Sequence, residues 1–428
     1  MKTFTPFVLS FALISFLVQA TASAQVINGR LIGSFYTYEK YDTVDVSKRF
    51  VRGFQSAIFD AAFSDFSIHT HFQVSGMLQK KLDERPDYRF YYVYGQWKNI
   101  FNTADLSFGR VPYFAGVGNG TIDGGLLTLR FAENKFRFTA YGGQTTPVEY
   151  ELREWKKLKN NFTVGGQFLV NAIENARIGI SYINRHRERV GYWASRADSL
   201  FNPFLVYVMP ETEKEQYVSG DVSYRFGASR VYGRYDYDLS FKKMQRGQLG
   251  IRLGLFDDLS VSGDFIRREP RVMYNSFFSL FDLKSVDEFE LGADYILFPD
   301  VRAFARGAYV KYSDDKGFRY TVGLVHRYIG LSYRGTTGYA GEQDNASIQA
   351  TYPFFDNMFI PSLGVAYITY KLDKYAKREE GIATTLGATF RPMSQLSFDL
   401  QGQWLQNKIV RSDVRVFGKV NYWFTTQF

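Results

Sequence analysis

A glycine-rich run is the first segment of this sequence whose residue types could do chemistry. It contains Gly116, Gly118, Asn119, Gly120 and Asp123. Glycine-rich loops cradle phosphate groups in nucleotide-binding proteins, but there a Lys-Ser or Lys-Thr pair and a helix follow the loop. Here no such pair follows, and the next segment has the pattern of a strand. We therefore expect a flexible loop or a loop that constricts a passage, rather than a nucleotide site.

The histidines are the next candidates, and the chain has only 4 of them. His69 and His71 stand two positions apart, so they share one face of a strand and could bind a divalent metal with a third ligand from a neighbouring strand. The polar face of a half-buried strand accounts for them equally. His186 and His326 lie far away in the sequence, and no Ser or Asp stands out as a nucleophile for them. We expect no enzymatic activity, no cofactor and no bound metal.

Charged residues recur at alternate positions within segments that have the pattern of β-strands. If those strands close into a barrel, the charges lie on its inner face, and we predict that they line a pore. The basic members are Arg30, Arg130, Arg137, Arg177, Arg234, Arg252, Arg334, Arg415 and Lys419. The acidic members are Asp105, Asp221, Asp236, Asp264, Glu290, Asp294 and Asp399. Opposing rows of fixed charge would keep a lumen hydrated, and the small basic excess predicts a mild preference for anions. The alternative is a cross-strand lattice of salt bridges that braces a plugged barrel.

The elements that must position these residues are strands, because apolar and polar residues alternate with period two along most of the chain. Near the end, for example, Leu396, Phe398 and Leu400 alternate with Ser397 and Asp399. We count about 22 such segments of roughly 9 to 14 residues, the length that a tilted strand needs to cross a bilayer. The sequence therefore predicts a closed antiparallel transmembrane β-barrel with an even number of strands, about 18 to 22. On one strand Leu249, Ile251, Leu253 and Leu255 should face lipid, and on the last strand Val414, Val416, Val420 and Tyr422.

The connections alternate between short and long, which is typical of a barrel with turns on one rim and loops on the other. The predicted turns lie at 132–135, 226–229, 256–258, 298–300, 354–357 and 391–395. The long set comprises 144–160, 184–214 and 270–284. We expect the last two loops to occupy part of a lumen that would otherwise be wide.

Composition supports the same class of protein. Aromatic residues make up 18% of the chain, with 31 Tyr and 41 Phe, and Gly reaches 37 while Pro is only 11. Membrane barrels use aromatic residues at both interfaces. The net charge is +9, but the basic residues are scattered, so we expect no nucleic-acid partner. There is no Cys, so the chain has neither a disulfide nor a thiolate metal ligand.

The N-terminus has the layout of a secretory signal peptide. Lys2 precedes an apolar stretch from Phe7 to Val18, and Ala22-Ser23-Ala24 forms a small-x-small cleavage site. We predict a signal peptide at 1–24 and a single barrel domain at 25–428 in the bacterial outer membrane. The alternative is an uncleaved anchor, but the apolar stretch is short for a spanning helix.

The C-terminus carries the most specific likeness. An aromatic final strand that closes on Phe428 resembles the targeting signal of porin-type outer-membrane proteins. The resemblance implies that Tyr422, Phe424 and Phe428 are recognised by the barrel-assembly machinery. A second similarity is the strand Leu106–Arg110 that ends in Gly-Arg before the glycine-rich run, as before the inward third loop of porins. It implies that the run narrows the pore.

These observations together predict a channel for passive or weakly selective diffusion of small polar solutes. An energised receptor is disfavoured, because no plug domain precedes the first strand. The first alternative is an export conduit for a charged polysaccharide, which a continuous ladder of Arg and Lys would favour. The second is a non-conducting surface barrel for adhesion or reception, which a filled lumen would favour. An enzyme would require a tight His/Ser/Asp cluster at one rim. The oligomeric state is open.

Overall fold

The computed structural model describes residues 26–43, 46–78, 86–151, 158–189, 191–210, 212–272, 284–312, 315–338, 341–371, 375–408 and 410–427. The predicted signal peptide and Phe428 lie outside these residues. Within them, no helix is long and apolar enough to cross a membrane.

The first half of the chain folds into twelve strands and one turn of 3-10 helix at Leu158–Asn160. The strands are β1 (Val26–Thr43), β2 (Val46–Phe63), β3 (Phe66–Met77), β4 (Asp87–Ile100), β5 (Ala104–Ala115), β6 (Gly118–Phe131), β7 (Phe136–Thr145), β8 (Phe162–Val170), β9 (Ala176–Arg187), β10 (Tyr192–Ala197), β11 (Pro203–Val208) and β12 (Glu213–Phe226).

The second half consists of twelve further strands. They are β13 (Ser229–Asp238), β14 (Lys243–Phe256), β15 (Leu259–Arg268), β16 (Val286–Phe298), β17 (Val301–Tyr312), β18 (Asp315–His326), β19 (Ile329–Gly338), β20 (Glu342–Thr351), β21 (Phe359–Lys371), β22 (Glu379–Met393), β23 (Leu396–Asn407) and β24 (Asp413–Gln427).

The sheet closes on itself as a barrel. In the described part of the chain, 22 strands form one sheet in which each pairs antiparallel with its neighbours along the chain, and β9 pairs directly with β12. The first and last strands also pair, with Val26 opposite Gln427 and Tyr36 opposite Phe417. The predicted closed antiparallel barrel with an even strand number is confirmed, at the upper end of the expected range.

The alternation of the sequence decides which face of each strand points outward. On β14 the side chains of Leu249 and Ile251 are 59% and 39% exposed, although both are large and apolar. Gln248 and Arg252 point to the opposite face, since successive residues of a strand alternate. The polar phase is therefore the inner face of the barrel, and the apolar phase is the outer face, which lipid would cover.

The two rims differ in their connections. At one rim both described chain ends lie next to each other, and short turns such as 132–135, 227–228 and 299–300 join the strands. At the other rim the connections include the long segments 146–161, 188–212 and 269–285. We call these the turn rim and the loop rim. In outer-membrane barrels the turn rim faces the periplasm.

Two details differ from the expectation. β1 and β2 are 18 residues each, longer than a strand needs for crossing the bilayer, so they project past it at the loop rim. The long segment between β9 and β12 holds the two-stranded ribbon of β10 and β11. At the end of this ribbon Asp198 accepts hydrogen bonds from the backbone N–H groups of Asn202 and Leu200, both at 2.8 Å, and these bonds lower the pKa of its carboxyl.

Candidate functional site

A hairpin made by the ends of β5 and β6 leaves the barrel wall and lies inside the lumen. β5 pairs with β4 only from Ala104 to Arg110, and β6 pairs with β7 only from Ile122 onward. Beyond these points the two strands pair with each other alone, up to a turn at Gly116 and Val117. We call residues 111–121 the inner hairpin.

One face of the inner hairpin packs on the inner face of the wall. Tyr113 stacks on Tyr141 of β7 with ring centroids 4.2 Å apart, and both are almost completely buried. The same cluster contains Val111, Ala115, Ile122, Ile183 and Tyr217. The main apolar core of the described residues therefore lies inside the lumen, on the side of β7 to β12.

The glycines of the run serve this packing. A Cβ on Gly118 would lie 1.9 Å from the hydroxyl of Tyr141, and a Cβ on Gly116 would lie 2.1 Å from the Ser181 Oγ. Gly116 also has φ +64°, a conformation that side chains disfavour. The expectation of a glycine-rich loop is wrong in one respect: apart from the turn residues Gly116 and Val117, the run belongs to strand β6. Its glycines allow the hairpin to approach the wall closely.

Arg110 fixes the point at which the hairpin leaves the wall. Its side chain is only 4% exposed, and it forms a bidentate ion pair with Asp123, with distances of 2.6 and 2.9 Å. It also donates to the backbone carbonyls of Phe90, Tyr150 and Glu151. The carbonyl of Tyr150 in turn accepts from the N–H of Phe90, where β5 no longer pairs with β4. Arg110 therefore closes the gap in the wall and anchors both arms of the hairpin.

The tip of the hairpin is held by β9. The N–H of Val117 donates to the Ser181 Oγ at 2.9 Å, and Arg185 donates to the hydroxyl of Tyr113 and the carbonyl of Asn119. The opposite face of the hairpin looks into the open lumen, where Phe114 is 84% exposed. The inner hairpin is thus a fixed narrowing of the lumen rather than a free loop.

All of the predicted pore-lining residues lie on the inner face of the barrel. Directly opposed residues of neighbouring strands share a face, so the strand pairing carries this assignment from one strand to the next. Several are paired with each other: Arg130 with Asp105, Arg234 with Asp236, and Lys419 with Asp399. Arg30 donates to Asn421 at 2.7 Å, Arg415 pairs with Asp413, and Arg252 lies 3.7 Å from Asp294. The inner face also holds Arg137, Arg177, Asp221 and Arg334. Whether they line an open pore stays a prediction.

Sequence reasoning missed several charged residues of the same face. Arg319 pairs with Glu288 and Glu290, and Arg306 pairs with Asp294 at 2.8 Å. Asp264, which belongs to the predicted set, accepts from the hydroxyl of Tyr232. Near the loop rim, Arg271 packs over the rings of Tyr217 and Phe241. The signal was available, because Arg306 and Arg319 follow the same alternation as the residues that were predicted.

The histidine pair lies in the lumen, near the turn rim. His69 contacts Asp60 through Nδ1 at 2.5 Å and Ser67 through Nε2 at 2.8 Å, while His71 stacks on Tyr91. These contacts connect a serine, a histidine and an aspartate in the same order as in a Ser-His-Asp catalytic triad. The backbone N–H groups around Ser67 belong to the ladders with β2 and β4, however, so they do not supply the pair of free donors that acyl transfer needs.

The outer face completes the description of the barrel. Exposed aromatic residues form a belt near each rim. Near the turn rim they include Phe131, Tyr224, Phe226, Phe256 and Phe298, and near the loop rim Tyr235, Phe265, Phe289, Tyr309, Phe318 and Tyr333. Two aromatic girdles around an apolar band are the mark of a barrel that spans a membrane. The described residues therefore form a membrane-spanning β-barrel of 22 strands.

The predicted assembly signal lies on the outer face, where β24 meets β1. Tyr422 and Phe424 stack with centroids 6.1 Å apart, and the ring of Phe424 covers Gly29. Their recognition by the assembly machinery stays a prediction, and Phe428 lies outside the described residues.

No family model and no curated protein matches this chain. Among solved structures it is similar to Acinetobacter baumannii OccAB4, with 9% identity, a TM-score of 0.46, and coverage of 95% of this chain and 100% of that one. It is also similar to the P pilus usher (PapC) translocation pore, with 8% identity, a TM-score of 0.47, and coverage of 94% and 100%. For Pseudomonas aeruginosa OccK9 (OpdG) the identity is 9%, the TM-score 0.43, and the coverage 95% and 99%. These values are too low to transfer an activity, so the function has to follow from this chain's own lumen.

Proposed function

We propose that the protein is a channel for passive diffusion of small polar solutes across the outer membrane, with a preference for anions. The observation that carries this proposal is the inner hairpin. It narrows the lumen from one side, while the inner face on the opposite side keeps charged side chains that are partly exposed, such as Arg306 and Arg319. A lumen of this kind admits small hydrated solutes and excludes large or apolar ones.

The preference for anions follows from the surplus of arginine on the inner face. Near the turn rim Arg225 lies directly opposite Arg230, and Arg230 lies opposite Arg252. On the same face Arg137 and Arg177 are exposed. Several positive charges close together raise the local concentration of anions, so small anions should enter the lumen more readily than cations.

Conductance in a planar lipid bilayer tests both parts of this proposal. The refolded chain should give discrete current steps. In a KCl gradient the reversal potential should be shifted toward the equilibrium potential of chloride. A reversal potential set by potassium would remove the anion preference but leave the channel. Silence from protein that is demonstrably folded and inserted would overturn the channel and favour the adhesion or receptor barrel.

The polysaccharide export conduit predicts a different result in the same experiment. Because the inner hairpin is fixed on the wall by Arg110 and Arg185, it leaves a lasting constriction. An export conduit for a chain polymer should show long blockades when an anionic polysaccharide is added, with dwell times that grow with polymer length. Brief blocks by small anions, without a length dependence, favour the diffusion channel.

A further inference from the structure

We propose that Arg246 and Arg268 form a binding site for a small dianionic oxoanion, such as inorganic phosphate or a dicarboxylate, inside the lumen. The site rests on the proposed function, since it requires a lumen that solutes enter. It names the class of solute that would be held there.

Arg246 on β14 and Arg268 on β15 are directly opposed residues of neighbouring strands, so their side chains leave the wall on the same inner face. Opposed residues have Cβ atoms about 4.5–5.5 Å apart, and like charges at that distance destabilise a sheet unless something neutralises them. In the described part of the chain, neither arginine forms an ion pair with an acid. A pair of cations with no acidic partner is a place where an anion would stabilise the protein.

The surrounding hydrogen bonds point the same way. Arg246 donates to the Gln248 side chain at 2.5 Å, but its Nε is buried and has no partner among the described residues. A buried donor without an acceptor destabilises the folded protein, because its hydration is lost and not replaced. An oxoanion that accepted from both guanidinium groups would supply acceptors to donors that now lack them.

The acids nearby are already engaged. Asp236 lies opposite Arg246, but its carboxylate accepts from Arg234 Nε at 2.9 and 3.0 Å and from Ser219 at 2.5 Å. Each of the other two acids beside the cavity lies near two bases. Glu215 lies near Arg185 and Arg271, at 3.1 and 3.3 Å, and Glu269 lies 3.7 Å from both Lys243 and Arg267. The positive charge of Arg246 and Arg268 is therefore not cancelled by its neighbours.

There is also room for a ligand. The two arginines border a cavity of about 600 Å³ between the wall and the tip of the inner hairpin, and Val117 and Asn119 form its other side. Cavities that bind small molecules have about 300–1,000 Å³. The guanidinium fork matches a carboxylate or phosphate group with two parallel hydrogen bonds, so two such forks suit an anion with two negative charges.

The test is block of chloride current by added anions. In the native protein, inorganic phosphate and succinate, added separately at neutral pH, should each reduce the current at low concentration. In the double variant Arg246→Gln and Arg268→Gln the half-blocking concentration should rise about tenfold or more, because two charge-assisted contacts are lost. Block by only one of the two anions would identify which class the site prefers.

A matched control removes the same charge elsewhere in the lumen. The double variant Arg137→Gln and Arg177→Gln should lower the anion preference in a KCl gradient but leave the half-blocking concentration unchanged. Equal shifts in both double variants would mean a general electrostatic effect, which overturns the site. Absence of block in a conducting native protein would also overturn it, while leaving the channel function intact.

A direct binding measurement separates this site from the proposed function. Titration of the detergent-folded barrel with phosphate, followed by calorimetry, should show binding in the native protein and the control and none in the Arg246 and Arg268 variant. Binding with no conductance would remove the channel and keep the site. Native-like β-sheet circular dichroism for each variant shows that a lost signal is not a lost fold.

Discussion

Two parts of the barrel wall differ in what lies against their inner face. From β7 to β12 the part of the inner face nearer the loop rim is covered by the inner hairpin, and Tyr141 and Ile183 there are 3% and 2% exposed. From β17 to β24 the inner face is open, and polar side chains such as Thr389 and Asp399 bond across neighbouring strands. One side behaves as a hydrophobic core and the other as a hydrated surface.

This difference shows how a wide barrel can be narrowed by two of its own strands. A barrel of 22 strands is too wide for its own side chains to fill. Two strands that leave the wall early give one side a packed core and leave a passage along the other. The covered side should therefore respond to substitution like a protein interior, and the open side like a protein surface.

The largest effect is expected where the covered side is anchored. Arg110→Ala leaves the carboxylate of Asp123 without its partner, and removal of one member of a buried pair costs about 3–5 kcal/mol. Urea titration of the folded barrel should show this loss, and single-channel records should become noisy as the hairpin leaves the wall. Arg137→Ala, on the exposed inner face, is the control. If both variants were equally stable, Arg110 would not anchor the hairpin.

The lipid-facing phase sets the next largest effect. Ile251→Arg places a charge at the middle of β14, where it should lower the free energy of unfolding by about 2–4 kcal/mol. Arg252→Ala, on the inner face one residue later, should have a much smaller effect. The Arg252 side chain is 58% exposed, and its ion pair with Asp294 is long, at 3.7 Å. Folded yield in lipid vesicles measures both. Equal losses would mean that the inner and outer faces are assigned wrongly.

Packing of the hairpin on the wall gives an intermediate effect. Gly118→Val introduces side-chain atoms where the Tyr141 hydroxyl now lies, and overpacking of this kind costs about 1–3 kcal/mol. Conductance should change as well, since the hairpin has to shift into the lumen. Gly220→Val is the matched control, because a Cβ at Gly220 meets nothing within 4 Å. A neutral Gly118→Val would show that the hairpin does not pack tightly.

The smallest effect is expected on the open side. Arg319→Gln removes ion pairs with Glu288 and Glu290, but all three side chains are partly exposed to the aqueous lumen. Exposed pairs of this kind contribute about 0–1 kcal/mol. Urea titration should therefore show a shift well below that of Arg110→Ala. A comparable shift would mean that the open side is also a packed core and that the contrast between the two sides is wrong.

The barrel was predictable because its signal is local and repeated. In each strand the alternation of apolar and polar residues indicates which residues lie on which face. Short turns such as 132–135 lie at the predicted positions. A bulge on β4 could not be predicted in the same way. Tyr91 and Tyr92 both turn toward the lumen there, so the phase of the strand changes in the middle. Such a shift depends on pairing with β3 rather than on the strand's own sequence.

The inner hairpin was predictable only in part. Its place followed from the resemblance of the glycine-rich run to an inward loop, but its strand structure did not, because glycine has a low strand propensity. One signal was present. Arg110 and Asp123 interrupt the outward, apolar phase of β5 and β6, after Phe108 and before Leu127. Charges on the lipid-facing phase are costly, so two that oppose each other mark the level at which the strands leave the membrane wall.

The pairing of β1 with β24 has a consequence for the order in which the molecule forms. Arg30 and Asn421 are hydrogen-bonded across 391 positions of the chain. Such distant contacts form late, because the entropy of closing a long loop has to be met before they stabilise anything. Until then β1 and β24 both present unpaired edges that can capture other strands. Closure, rather than the formation of any hairpin, should therefore limit the rate of folding and determine how much chain is lost to aggregation.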